Sequence, residues 1–221
     1  GNVRAVVKAR TRPLLYFGGR VGAAGGSDIV LSLCTEANLP GCHTLMGTGA
    51  VPSDCPYNLG LAGMHGRRSV AKAIDECDLL VAIGTRFSDR VALSGKDFAH
   101  EAKRVHIDID DAEISKNIRI SLGIQADAAD VLSQLGALVE QKARTAWFDR
   151  LHELQDTLDK PDPYAAISGL SPMYILDRLA QTTQEDAPLV HDVGQHQIWA
   201  AQRSPLHPPP PLLTPGGLGP L

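Results

Sequence analysis

Two hydrophobic patterns alternate along the chain. Short, nearly unbroken apolar runs, PLLYFGG at 13–19 and DLLVAIG at 78–84, stop at glycines and read as strands buried on both faces of a parallel sheet. KRVHIDID at 103–110 reads the same way, Ile118–Ile124 is a further candidate, and Gly41–Leu45 is a weaker one. Between them apolar residues recur at helical spacing. Ile29, Val30, Leu33 and Ala37 follow an expected N-cap at Ser27 or Asp28, and Val70, Ala73, Ile74 and Cys77 mark a helix over 67–77. Val131, Leu132, Leu135, Leu138 and Val139 follow a cap at Asp127. Such alternation predicts an α/β fold, a central parallel sheet with helices on both faces.

Where the pattern fails, the chain divides. Met46–His65 has no period and is rich in Gly, Pro and Asp, and unstructured segments of that length inside a domain are usually functional. From 141 to 170 an amphipathic stretch around Trp147, Leu151 and Leu154 runs into KPDPYAAISG, which reads as a linker. Ser171-Pro172 then opens a helix with Met173, Leu176 and Leu179 as its stripe. Pro188–Val190 reads as a strand, and Val193–His196 as a turn into a short helix ending near Gln202. The expected organisation is an N-terminal remnant (1–11), a central domain (12–140), a linker (141–170) and the truncated start of a second α/β domain (171–221) with a proline-rich, extended or disordered tail.

Composition narrows the function. With 43% hydrophobic and 21% charged residues and a net charge of −4, this is an ordinary globular chain without a basic field for nucleic acid. Cys34, Cys42, Cys55 and Cys77 lack zinc-ligand spacing, so no metal site is expected from them. No apolar run approaches the length of a membrane span, and the start has no signal-peptide core. A soluble, cytoplasmic protein is expected, organellar if a transit peptide has been lost. The first residue is Gly1 rather than Met, so an excised or truncated piece is also expected.

Two glycine-flanked loops carry candidate chemistry. LAGMHG at 61–66 sets Met64 and His65 between Gly63 and Gly66, where the backbone can approach a bound group closely. GTRFSDRV at 84–91 follows an apolar strand, the position at which open α/β sheets bind ligands. Its Arg86 and Arg90 suit a phosphate or carboxylate, although Asp89-Arg90 could equally be a surface ion pair. Asp108 and Asp110, on one face if the strand alternates, could accept from ribose or ribityl hydroxyls. Gly18-Gly19 is not followed by a GxGxxG pattern, and no Ser-His-Asp or Cys-His arrangement is argued by spacing.

Five strings carry a family resemblance: TLMGTGAVP (44–52), LGLAGMHG (59–66), AIGTRFSDRV (82–91), VHIDIDDAEISKN (105–117) and VGQHQIWAAQ (193–202). In order and spacing they resemble the catalytic large subunit of acetolactate synthase (acetohydroxyacid synthase), a thiamine-diphosphate enzyme of branched-chain amino-acid biosynthesis. The resemblance implies a central FAD-binding domain followed by the opening of the thiamine-diphosphate-binding domain. It also implies decarboxylation of pyruvate and condensation with a second 2-oxo acid, Mg²⁺ as a further cofactor, a homodimer and a regulatory small subunit in the intact enzyme.

Carried over by resemblance, FAD contacts fall on Gly19, Thr44, Leu45, Ala62, Gly63, Met64, His65, Gly84, Arg86, Asp89, Arg90, Asp108, Ile109 and Asp127. Thiamine diphosphate contacts fall on Val193, Gly194, Gln195, His196, Gly219 and Leu221. Ala62 and Ser88 depart from the family pattern, as does the terminal TPGGLGPL. No catalytic residue is assigned, because the family's activating glutamate and magnesium motif find no match, and the isolated chain is expected to be inactive. The alternatives are another thiamine-diphosphate carboligase and a non-catalytic FAD- or nucleotide-binding module. A pure module would have no use for VGQHQIWAAQ.

Overall fold

The computed structural model describes residues 3–92, 97–136, 142–159, 170–183, 187–203 and 213–216. One sheet of six parallel strands organises them: β1 (Pro13–Phe17), β2 (Gly41–His43), β3 (Asn58–Leu61), β4 (Leu79–Ile83), β5 (Lys103–Asp108) and β6 (Leu122–Gln125). Their order is β3-β2-β1-β4-β5-β6. β1 and β4 are therefore central neighbours, with Pro13 opposite Leu79 and Phe17 opposite Ile83. Every residue of both strands is buried, which is why these two runs show no polar alternation.

The pleat sends alternate side chains into two separate cores. Leu15, Phe17, Leu79, Val81, Ile83, Val105 and Ile107 meet one layer, built from α1 (Val3–Lys8), α2 (Gly19–Ala23), α3 (Ser27–Glu36) and α5 (Ala128–Gly136). Leu14, Tyr16, Leu80 and Ala82 meet the other, built from α4 (Arg68–Glu76) and α6 (Thr145–Leu158). The expected α/β fold with both faces covered is the one observed.

Local departures from the sequence reading have identifiable causes. The N-cap of α3 is Gly26, not Ser27 or Asp28, because α2 turns straight into α3 through Gly25 at φ 68° and the Gly26 N–H donates to Val21 O at 2.8 Å. β3 lies inside the stretch read as aperiodic. Gly60 at φ 99° and a register shift where Gly41 and Cys42 pair with it break the alternation that would have revealed it. Asp127 does cap α5, accepting from the Ala129 N–H at 2.8 Å. Val7 of α1 is buried in the first core, so the stretch read as a remnant supplies part of that layer.

The largest departure is α6, since residues 145–158 were read as part of a linker. Trp147, Leu151 and Leu154 are buried in the second core, and Trp147 Nε1 donates to Pro13 O at 3.0 Å. Arg150 holds Glu76 at the end of α4 through two hydrogen bonds of 2.7 and 2.9 Å. Asp159 accepts from both the N–H and the hydroxyl of Ser69 at the start of α4. Just before α6, the Arg144 guanidinium donates to Ala37 O and Asn38 O, satisfying carbonyls at the end of α3. A linker would make none of these contacts.

Beyond α6 lie α7 (Pro172–Thr182) and α8 (Gln195–Arg203), packed on each other. Ser171 Oγ caps α7 by accepting from Tyr174 N–H at 3.0 Å, with Pro172 in the first turn as expected. Met173 is buried, but Leu179 is 47% exposed, so the expected stripe is only partly covered. Pro188–Val190 is not a strand; Val190 makes a single parallel bridge to Leu213. That bridge orders 213–216 within the segment expected to be an extended or disordered tail. Leu138, Val139, the KPDPYAAISG stretch up to Gly169, Gly219 and Leu221 lie outside the described residues.

Candidate functional site

At the β1/β4 boundary the chain leaves in opposite directions, toward β2 on one side and β5 on the other. A crevice opens beyond the carboxyl ends of strands at such a switch point. Two glycines let the backbones meet there. Gly18 N–H donates to Ile83 O at 2.9 Å, and a Cβ on Gly18 would lie 2.1 Å from Gly84 O. Gly84 itself has φ 60°, and its Cβ would lie 2.6 Å from Arg20 Cβ.

The two loops singled out by sequence are joined to each other. Met64 N–H donates to Arg90 O at 2.8 Å, and Gly63, at φ 101°, has no room for a Cβ, which would stand 2.8 Å from the same oxygen. In the second loop Phe87 holds φ 46°, a costly conformation for an aromatic residue. Its ring is buried against Phe98, His106 and Tyr16, at centroid distances of 5.8, 5.0 and 5.7 Å. Turning Phe87 inward leaves Arg86 and Ser88 exposed on the cleft side, and Asn117 Nδ2 fixes the Arg86 carbonyl at 2.8 Å.

Together these elements bound a cleft of about 660 Å³. Of the residues expected to contact a cofactor, Gly19, Thr44, Leu45, Ala62, Met64, His65, Gly84, Arg86, Asp89, Arg90, Val193 and Gly194 line it. Gly63 sits behind the loop contact just described. Asp108 is buried beneath Arg20, Ile109 is exposed elsewhere, and Asp127 is engaged at the start of α5. Gln195 and His196 open α8 outside the cleft wall, where Gln197 and Ile198 take their place. Gln197 is buried and holds the 213–216 segment at the rim, donating to Thr214 Oγ1 and to Gly216 O.

Charge in the cleft is arranged differently from a surface ion pair. Asp89 Oδ1 accepts from the backbone N–H of Arg90 at 3.0 Å, not from its guanidinium. Among the described residues neither Arg86 nor Arg90 forms an ion pair, so both guanidinium groups remain open to an anion. Asp108 and Asp110 do not share a face, because β5 ends at Asp108. Asp108 is buried and accepts from Asp110 N–H, whereas Asp110 is exposed and caps a 3₁₀ turn.

Tyr16, Thr85 and Arg20 also line the cleft and were not among the expected contacts. Tyr16 lines the floor with its hydroxyl buried and unpartnered. Burial, with Cys42 nearby, pushes its phenol well above the ordinary value, so it stays a neutral O–H donor. Thr85 Oγ1 is likewise buried without a partner. Arg20 enters between the glycines, its Nε 3.4 Å from Asp108 Oδ1. The signal for Arg20 was its place directly after Gly18-Gly19; Tyr16 lies inside an apolar run and gives none, and Thr85 sits in the 84–91 loop, where the charged residues Arg86, Asp89 and Arg90 carried the reading. Behind them His106 Nε2 lies 2.9 Å from Thr85 O, which makes it the protonated nitrogen, and burial holds its pKa below the ordinary value.

The strand order and the glycine-lined switch point define a doubly wound α/β domain with an arginine-lined cleft at the carboxyl ends of its strands. Comparison with known proteins narrows this. A family model described as thiamine pyrophosphate enzyme, central domain, matches residues 2–135, and the chain belongs to that family. The chain is 41% identical over 215 residues to the acetolactate synthase isozyme 1 large subunit of Escherichia coli (strain K12), covering 97% of this chain and 38% of that protein. It is 41% identical over 219 residues to a probable acetolactate synthase large subunit of Methanocaldococcus jannaschii, covering 94% and 36%. It is also 39% identical over 224 residues to the chloroplastic acetolactate synthase 1 of Oryza sativa subsp. japonica, covering 98% and 34%. The chain thus spans little more than a third of the length of these relatives.

Proposed function

We propose that this chain is part of the catalytic large subunit of an acetolactate synthase and that its cleft holds FAD. Arg86 and Arg90 would meet the diphosphate, since two unpaired guanidinium forks facing one cleft match two phosphate groups. Tyr16 and Thr85 would satisfy their buried hydroxyls on the cofactor's polar edges, and Leu45 and Met64 would face its ring system. The domain division follows the same reading: the six-stranded unit, with α6 included, is the central domain, and 171–221 begins the next.

Thiamine diphosphate, when bound, supplies the chemistry by which pyruvate is decarboxylated and joined to a second 2-oxo acid. Val193 and Gly194 border the cleft from that side, with Gln195 and His196 beginning α8 beside them, and Gly219 is assigned by resemblance. No cluster of three or more His, Cys, Asp or Glu side chains suited to a metal exists among the described residues, so no Mg²⁺ ligand is assigned in them. The homodimer, the regulatory small subunit and a cytoplasmic or organellar address belong to the same proposal. No described helix is long and apolar enough to cross a membrane.

The observation that carries the FAD reading is the joining of the two glycine-flanked loops by Met64 and Arg90 into one wall of an arginine-lined cleft. Its test is a titration of the purified chain with FAD, followed by flavin fluorescence and by thermal unfolding. Saturable binding that raises the unfolding temperature is expected. A folded chain that leaves flavin fluorescence and unfolding temperature unchanged would remove the reading.

A further inference from the structure

Arg20 stands at the switch point itself, one residue beyond Gly18-Gly19, and it is the cleft residue with the most unusual support. Its Cβ occupies the space that any side chain at Gly84 would need, so the positive-φ glycine of β4's loop makes room for it. Its side chain is 35% exposed and lines the cleft, while the Asp108 side chain beneath it is fully buried. Nε faces Asp108 Oδ1 at 3.4 Å, and among the described residues the two terminal amino groups have no partner. Asp108 is held in turn by the Asp110 N–H at 2.9 Å, while its Oδ2 is buried with no hydrogen bond.

His106 Nε2 lies 4.0 Å from that oxygen but is engaged by Thr85 O, and a buried carboxylate with one oxygen lacking a hydrogen bond is costly unless a cation stays beside it, so Asp108 keeps Arg20 at this place. A guanidinium engaged through Nε keeps both terminal amino groups available for a bidentate grip on an anion. Asp89 is the one carboxylate among the described residues of the cleft lining, and its Oδ1 already serves a backbone N–H. From this we propose that Arg20, positioned by Asp108, is a third anion-binding arm of the cleft and grips a diphosphate group together with Arg86 and Arg90. Asp108 then acts through Arg20 as a positioning residue, not as a direct acceptor of cofactor hydroxyls. The proposal deepens the dinucleotide reading of the cleft.

The test uses the full chain with inorganic pyrophosphate, ADP and FAD as calorimetric probes, comparing wild type with Arg20→Gln, Arg20→Lys and Asp108→Asn. Removing the fork should weaken pyrophosphate and ADP roughly ten- to a hundredfold, the scale of a charge-assisted hydrogen bond, and flatten the fall of affinity with salt. Arg20→Lys keeps a cation beside Asp108 and is expected to fold, yet it should also bind pyrophosphate more weakly, because lysine cannot form the fork. Asp108→Asn should weaken binding by freeing Arg20; tighter binding would mean that Asp108 only neutralises it and would overturn the positioning role. Equal pyrophosphate affinity and salt dependence in wild type and Arg20→Lys would overturn the arm, as would a folded wild type that binds no probe. Arg20-dependent binding of pyrophosphate without binding of FAD would refute FAD as the ligand and leave the arm standing.

Discussion

The backbone N–H of Met64 reaches the carbonyl of Arg90 across 2.8 Å, joining two loops that are 26 residues apart in sequence into a single wall. Gly63 makes the approach possible, because it holds φ 101° and any Cβ would stand 2.8 Å from the Arg90 oxygen. Gly63→Ala should therefore push the loops apart. A loss of about 1–3 kcal/mol of unfolding stability is expected from the strained backbone, together with weaker FAD binding. Chemical denaturation and flavin titration of the variant measure both, and wild-type values for both would show that the wall tolerates separation.

Trp147 anchors α6 by donating to the carbonyl of Pro13, the first residue of β1. Trp147→Phe keeps most of the apolar ring but leaves that carbonyl unpaired, which costs about 1–3 kcal/mol. The effect should appear in the urea midpoint with FAD affinity unchanged, since Trp147 lies in the second core and away from the cleft. An unchanged midpoint would mean that the Trp147 hydrogen bond adds nothing to the apolar packing and the Arg150 and Asp159 contacts that hold α6.

His43 is buried, stacked on Phe17 at 6.0 Å, and its Nδ1 lies 3.0 Å from Thr44 O. Burial lowers its pKa from 6.5 to about 4, against the opposing hydrogen bond to Thr44. Above pH 6.5 both folded and unfolded chains hold it neutral, so it adds no pH dependence there. As pH falls from 6.5 toward 4 the unfolded chain takes up the proton first, and stability falls by about 3 kcal/mol across that window. His106, lowered by burial too, acts in the same direction. Denaturation at pH 7 and pH 4.5 should show a smaller decline in His43→Gln than in wild type. Equal declines would assign the acid sensitivity to other groups.

How much of this was legible depended on whether a residue's role was local. β1 and β4 could be read because central strands are apolar throughout, and Asp127 and Ser171 because a cap acts within three residues of itself. The loop positions of Met64, Arg86 and Arg90 were visible from their flanking glycines and preceding strands. β3 was hidden by Asn58 and Gly60, which a strand reading penalises. α6 was misjudged because the proline-containing stretch after it suggested a linker, while its true partners, Pro13, Ser69 and Glu76, are all more than 70 residues away in the chain. That Asp108 is buried beneath Arg20 was not legible, because nothing local reveals a partner 88 residues earlier in the chain.

Arg90 gives the most direct test of the cleft as a site for a diphosphate-bearing cofactor. This residue is exposed in the cleft, pairs with no carboxylate among the described residues, and contributes its carbonyl rather than its side chain to the loop contact. Replacing it by alanine should leave the fold intact while removing one charge-assisted hydrogen bond. Titration of wild type and Arg90→Ala with FAD should give an affinity roughly ten- to a hundredfold weaker for the variant, with matching unfolding curves in the absence of FAD. Equal FAD affinities for the two proteins, or no FAD binding by folded wild type, would contradict the account.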